Sequence, residues 1–299
     1  MNKRPLLLSC VIVLLCLCLT ACDVTSFFTE QGTSESTTEE TTPAETTSEE
    51  TPSDGTATES TPPESDSAEA EPQETTDPDE TEPQTPKKRV AITFDDGPSR
   101  QGLTEKLVDE FGKYNGRATF FVLGNLISSA TGDSLAYAHA HGFEIGIHGY
   151  THDIYYDTCS EQDFLDELAN TKAAIERYID TEVTLLRPPG GRITRERALA
   201  SGYPILFWSI DTEDWRYRAR TDEQTIRQNV DTIVENALKN VEDGDIILMH
   251  EIYTNTYEAT CQILARLHEM GFEFVTVTEL LGSQSLTPGA YFYSKTNIK

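Results

Sequence analysis

Two adjacent aspartates, Asp95 and Asp96, end an apolar run and are followed at once by Gly97 and Pro98. Neighbouring carboxylates repel each other. The pair is tolerable beside a cation, or where hydrogen bonds hold one member, so it suggests a metal ligand next to a proton acceptor. Alone, Asp-Asp-Gly-Pro reads first as a surface turn. His148 and His152 stand four residues apart. Two imidazoles and one carboxylate form a three-ligand set of the kind that holds catalytic zinc and leaves a fourth position for water. Arg187 opens an Arg-Pro-Pro-Gly-Gly stretch that fixes an irregular loop, with a guanidinium able to steer a carboxylate; in isolation it reads as a stiff connector. Asp211, Glu213 and Asp214 form an acidic loop leading into Trp215, and Leu248-Met249-His250 closes another apolar run. A single histidine in that position is more often structural than catalytic.

The elements that must position these groups alternate. Short apolar runs predict strands over 90–94, 119–123, 143–147, 205–210, 245–249 and 272–277. Helical patterns fall over 103–114, 134–141, 161–179, 194–200, 222–238 and 257–270. Such alternation predicts parallel strands joined by right-handed crossovers, an α/β sheet or barrel, with reactive groups beyond the carboxyl ends of the strands. Asp95 and Asp96, His148, Asp211 to Trp215, and His250 each follow a predicted strand, so four strand ends aim polar groups one way.

The rest of the chain is uneven. Lys3 and Arg4 precede an apolar run that is short for a membrane span, which reads as an export signal over residues 1–22. It ends in Leu19-Thr20-Ala21-Cys22, which resembles a bacterial lipobox and implies lipidation at Cys22, a membrane anchor and an extracellular address facing the cell wall. Residues 23–86 are rich in Thr, Ser, Glu and Pro and contain no Lys or Arg, so they are expected to form a disordered acidic tether. A flexible chain of that length spans roughly 40 to 50 Å. Much of the net charge of -28 lies there, so the acidity says little about what the folded part binds, and no nucleic-acid partner is expected. Cys159 and Cys261 lie in the folded part and could pair, though two free thiols are the simpler reading. Residues 87–283 form the expected catalytic domain and 284–299 a tail of unassigned role.

Taken in order, Thr93-Phe94-Asp95-Asp96, the His148 and His152 pair, Arg187 to Gly191, Asp211 to Trp215, and Leu248-Met249-His250 resemble the five motifs of polysaccharide deacetylases, carbohydrate esterase family 4. The resemblance implies a distorted parallel (β/α) barrel of about seven strands and a divalent metal, usually zinc, with cobalt or another divalent ion as alternatives. By position, Asp96, His148 and His152 resemble the metal ligands, Asp95 the catalytic base and His250 the catalytic acid. Arg187 matches the arginine that orients the base, and Asp214 the carboxylate that tunes the acid. Gly190 supplies the oxyanion N–H, and Trp215 and Leu248 an apolar wall near the substrate methyl. The sequence departs from the pattern at Gly149, where Ser or Thr is frequent, and at Gly190, where Tyr is frequent.

These roles imply hydrolysis of N-acetyl groups from an amino-sugar polymer, with N-acetylglucosamine of peptidoglycan favoured by the wall-facing address, and a monomeric enzyme. An O-deacetylase acting on acetylated xylan and a non-catalytic glycan-binding module are the competing readings.

Overall fold

A computed structural model describes residues 87–217 and 223–299. The expected export signal, Cys22, the tether and the Asp222 helix start lie outside the described residues. Strand β1 (Lys88–Gly97) is the longest and lies between β2 (Thr119–Leu123) and β6 (Ile246–His250). Outside them pair β3 (Glu144–Gly149) and β5 (Ile210–Asp211), while β7 (Phe272–Phe274) adds to the start of β1. A second pair joins β4 (Ile205–Leu206) to β8 (Tyr291–Phe292), and single bridges from Leu186 to Ile147 and to Ile205 connect it to β3. Every pairing between these strands is parallel. The helices around them are α1 (Leu103–Gly112), α2 (Ser129–Ala140), α3 (Glu161–Ile175), α4 (Arg195–Ala200), α5 (Glu223–Leu238), α6 (Thr254–Glu269) and α7 (Val277–Leu281). The result is the expected α/β architecture, a distorted barrel of short parallel strands.

Two-residue alternation sorts each strand into an outer and an inner face. Val90, Ile92 and Phe94 of β1 join Phe120, Val122, Ile145, Ile147, Leu186, Ile205, Ile247 and Met249 in one core under the helices. Phe94 stacks on Phe120 with ring centroids 5.4 Å apart, and Phe120 stacks on Phe143 at 5.7 Å. The residues between them, Ala91, Phe121, Leu185, Leu206 and Ile246, pack with Val277, Leu280 and Phe292 in a second, interior cluster. Gly146 belongs to this inner face, and a Cβ there would lie 2.7 Å from the Phe121 ring. The same alternation puts Thr93 and Asp95 of β1, His148 of β3, and Leu248 and His250 of β6 on the inner face. Interior packing at one end and chemical groups at the other are therefore one pattern.

Boundaries moved where side chains took over backbone bonding. The strand expected over 205–210 is two short strands, because the carbonyls of Leu206 and Phe207 accept hydrogen bonds from the Arg187 side chain. The strand expected over 272–277 ends at Phe274, since Thr276 caps α7 in a reciprocal capping box with Glu279. Helix α2 begins at Ser129 because Ser128 and Thr131 form another capping box, and α6 starts at Thr254, three residues before the expected 257. Cys159 and Cys261 are free thiols, and the Arg197 side chain donates to Cys159 Sγ. Among the described residues, no helix is long and apolar enough to cross a membrane.

The tail segment is built into the fold. Phe292 is fully buried, Tyr293 stacks on Phe207 at 4.7 Å, and the Phe207 N–H donates to the Phe292 carbonyl. Replacing Phe292 with Ala should cost about 3–5 kcal/mol of stability in urea unfolding. An unchanged midpoint would show that this segment only rests on the surface.

Candidate active site

Arg187 is the organising side chain of the inner face. It follows Leu186, whose bridges hold the segment between β3 and β4, and it is fully buried. Its Nη1 donates to Asp95 Oδ1 and to Thr93 Oγ1, both at 2.8 Å. Its Nε and Nη2 donate to the carbonyls of Leu206 and Phe207, and its plane lies over the Phe121 ring with 4.2 Å to the centroid. Burial lowers its pKa, an effect opposed by the Asp95 carboxylate. The Arg187 carbonyl accepts from Nδ1 of His148 at 2.8 Å, which places the proton on Nδ1 and leaves Nε2 free as a ligand atom.

That nitrogen faces the aspartates. His148 Nε2 lies 3.4 Å from Asp96 Oδ1 and 3.7 Å from Asp95 Oδ2, and His152 Nε2 lies 3.6 Å from the same Asp96 oxygen. Ligand atoms of Asp96, His148 and His152 all fall within 4.8 Å of one another, the arrangement a divalent cation needs. Asp96 Oδ1 is buried and has no hydrogen-bond partner among the described residues, so it fits a cation as its missing partner. Asp96 has φ 68, a left-handed conformation uncommon for a residue with a side chain, and a functional constraint of the kind that such strain accompanies is present here.

The electrostatics agree. Burial works to raise the pKa of Asp96, yet His148, with charges on His250 and His152, outweighs it and holds the carboxyl at about 2. Burial alone would depress His148, but Asp95 and Asp96 raise its pKa. His152 is more exposed and is shifted down, mainly by burial. Asp96 is therefore ionised at neutral pH, the form in which a carboxylate ligates a cation.

His250 sits opposite Asp95 in the register of β1 and β6. Its Nδ1 donates to Asp214 Oδ1 at 2.8 Å, and its backbone N–H donates to Asp214 Oδ2. Thr256 adds a hydroxyl donor to Oδ2 at 2.6 Å, so the fully buried Asp214 is satisfied on both oxygens. Burial disfavours the imidazolium, but the hydrogen bond and charge of Asp214 prevail and push the His250 pKa up to about 9. Asp211, which also belongs to the acidic loop, has its pKa raised by burial.

Asp95, Asp96, His148, His152, Arg187, Asp214 and His250 thus converge at one end of the barrel. Gly190 is joined to them through Tyr155: a Cβ on Gly190 would lie 3.3 Å from the Tyr155 ring, which is 6.1 Å from the His152 ring. Trp215 follows Asp214 in a short helical turn and is 42% exposed, open for contact, whereas Leu248 on the inner face is only 3% exposed. Sequence reading gave no role to Thr93, Thr256 or Glu167. Thr93 stands one strand alternation before Asp95, on the same inner face, and that spacing is a signal visible in the sequence. Thr256 carries none, because it reaches Asp214 only through the packing of α6.

Comparison with known proteins places these features in a family. The family model for polysaccharide deacetylases matches residues 82–203. A peptidoglycan-N-acetylglucosamine deacetylase of Bacillus cereus is 32% identical over 203 residues, covering 65% of this chain and 89% of that protein. Peptidoglycan-N-acetylglucosamine deacetylase PgdA of Listeria monocytogenes is 34% identical over 212 residues, but this chain spans only 42% of its length. Among solved structures, a family 4 acetyl xylan esterase from Clostridium thermocellum, in complex with a cobalt ion, superposes with a TM-score of 0.60 at 28% identity, covering 70% of this chain and all of that one. On this likeness in sequence and fold, the chain belongs to the polysaccharide deacetylase family.

Proposed function

We propose that this protein is a divalent-metal-dependent deacetylase that removes acetyl groups from N-acetylglucosamine in peptidoglycan. The observation that carries the reading is the joining of two devices in one place: a cluster of Asp96, His148 and His152 suited to a cation, and the Asp95 and His250 pair on facing positions of neighbouring strands. Zinc is the proposed ion, on the strength of two imidazoles and one carboxylate as donors. When bound, such an ion supplies Lewis acidity to the acetyl carbonyl and to water.

The chain's own groups divide the remaining work. Asp95, oriented by Arg187, takes the proton of the attacking water. His250 holds a proton on Nε2, its Nδ1 engaged by Asp214, and gives that proton to the departing amine nitrogen. The Gly190 N–H donates to the developing oxyanion, a contact that in other enzymes is worth about 3–4 kcal/mol. Trp215 and Leu248 border the acetyl methyl. Base and acid differ because their neighbours differ: a guanidinium stands beside Asp95 and a carboxylate beside His250.

The location follows from the other end of the chain. Cys22 is proposed to carry lipid after removal of the export signal, and residues 23–86 to act as a spacer that lets the monomeric folded domain reach the wall from the outer face of the membrane. An O-deacetylase of acetylated xylan is the second reading, favoured by the likeness to an acetyl xylan esterase. A glycan-binding module without activity fits poorly, because every proposed catalytic position is occupied by a competent group. Acetate release measured across peptidoglycan, chitooligosaccharides and acetylated xylan, with zinc and with chelator, tests the assignment; release from xylan alone would replace it with the second reading.

Three variants probe the division of labour. Asp95→Asn should reduce turnover by at least about 100-fold while metal content measured by elemental analysis stays at the native level. His148→Ala should lose the metal itself, and native stoichiometry in that variant would remove His148 from the ligand set. His250 has a raised pKa, so its acid form persists below about 9 and kcat should fall as pH rises through that value. Asp214→Asn should move this alkaline limb about 1–2 units toward acid, and a limb that stays in place would show that another group controls it.

A further inference from the structure

The two imidazoles of the proposed metal site are supported unequally. His148 lies within β3, is 2% exposed, and has its Nδ1 fixed by the Arg187 carbonyl. His152 lies beyond the end of β3, its side chain is 39% exposed, and among the described contacts its ring meets Asp96, the edge of Tyr155 and the ring of His148, with no hydrogen bond fixing its Nδ1 as in His148. Its position therefore depends on the backbone of residues 150–152, which lies beyond the last ladder pairing of β3, Leu123 with Gly149.

That backbone is held from α3. Glu167 is 4% exposed, and its Oε2 accepts the N–H of Tyr150 at 2.6 Å and of Thr151 at 2.9 Å. Its Oε1 accepts the Thr151 hydroxyl at 3.3 Å. The other side of the loop is tied down where the Asn125 N–H donates to the Tyr150 carbonyl. Gly149 makes the approach possible. It has φ 137, a conformation that disfavours side chains, and a Cβ there would meet Glu167 Oε2, the Thr151 carbonyl and the Tyr156 hydroxyl, each at 3.1 Å.

We infer that Glu167 is a positioning residue for His152: its carboxylate clamps the two peptide N–H groups that precede the histidine and so sets the affinity of the site for a divalent cation. The inference rests on the reading of Asp96, His148 and His152 as metal ligands. A buried carboxylate accepting two N–H groups and a hydroxyl is satisfied by the loop itself, which distinguishes it from an acid held for proton transfer. Partners of this kind, one shell out from a metal, commonly contribute 10- to 100-fold in affinity. The clamp also explains how the loop keeps its shape with glycine at 149: the hydrogen bonds come from a distant helix, so the loop needs no hydroxyl from residue 149.

The test is zinc affinity of the full chain, by competition with a chromophoric chelator, together with the visible spectrum of the cobalt-loaded protein and the melting temperature of the metal-free protein. Glu167→Ala should weaken zinc binding about 10- to 100-fold and alter the cobalt spectrum. Glu167→Gln keeps an oxygen where Oε2 accepts and should stay within a few-fold of the native value. Glu167→Asp keeps the charge but draws the oxygens back from the loop, and should bind zinc more weakly than Glu167→Gln. Should Glu167→Ala fail to fold, the order of the Gln and Asp variants decides. Gly149→Ser should weaken binding, because the new Cβ crowds the carboxylate. A folded Glu167→Ala protein with native zinc affinity, or Asp and Gln variants both at the native value, would overturn the inference. His152→Ala is the control: unchanged zinc affinity in that protein would instead dismiss the metal-site reading.

Discussion

A single guanidinium in the barrel interior is the constraint on which the site depends. Arg187 is wholly buried, and its side-chain bonds join two separate parts of the fold: Thr93 and Asp95 on β1, and the carbonyls of Leu206 and Phe207 at the end of β4. Its backbone carbonyl meanwhile fixes the ring of His148. A buried ion pair is a poor source of net stability, because desolvation of both charges offsets much of their attraction. Its worth here is geometric. Losing the arginine alone would leave the Asp95 carboxylate buried without its counter-ion, a situation that typically costs about 3–5 kcal/mol. The same residue thus orients a proton acceptor with its side chain and a ligand nitrogen with its backbone.

Around that centre, chemical identity is assigned by neighbours. Asp95 and Asp96 are adjacent in sequence and do unlike things, since strand alternation turns Asp95 toward Arg187 while the left-handed conformation of Asp96 swings its oxygen between two imidazoles. His148 and His250 are likewise the same side chain in opposite settings. One has its Nδ1 on a neutral carbonyl and its Nε2 available to a cation; the other has its Nδ1 on a carboxylate that favours the imidazolium.

Much of this was legible in the sequence because the signals were local. The apolar runs gave the strands, and the polar residues at their ends gave the site, since parallel α/β folds gather chemistry there. What the sequence hid was non-local. Nothing near residues 205–210 shows that two carbonyls will turn to an arginine and break the strand. Thr276 is a helix cap set among the strong β-formers Phe274, Val275 and Val277, so local composition favours a strand where the capping box starts a helix. The pairing of β8 with β4 depends on residues far apart in sequence, and the short run over 291–293 offered too few residues for periodicity to speak. Glu167 was concealed in another way: on a helix rich in acids it differs from its neighbours only in being buried.

The central position of β1 carries a consequence for how the molecule assembles. Among the described strands β1 is the first in the chain, yet two of its three partners, β6 and β7, lie some 150 residues or more downstream, as the pairings of Ala91 with Ile246 and of Lys88 with Phe272 show. Until those segments arrive, β1 exposes an apolar, unpaired edge of the kind that sticks to other chains. High contact order of this type makes folding slow. The aspartates meet His250 only where β6 pairs with β1, so the site is complete only once that long-range pairing has formed.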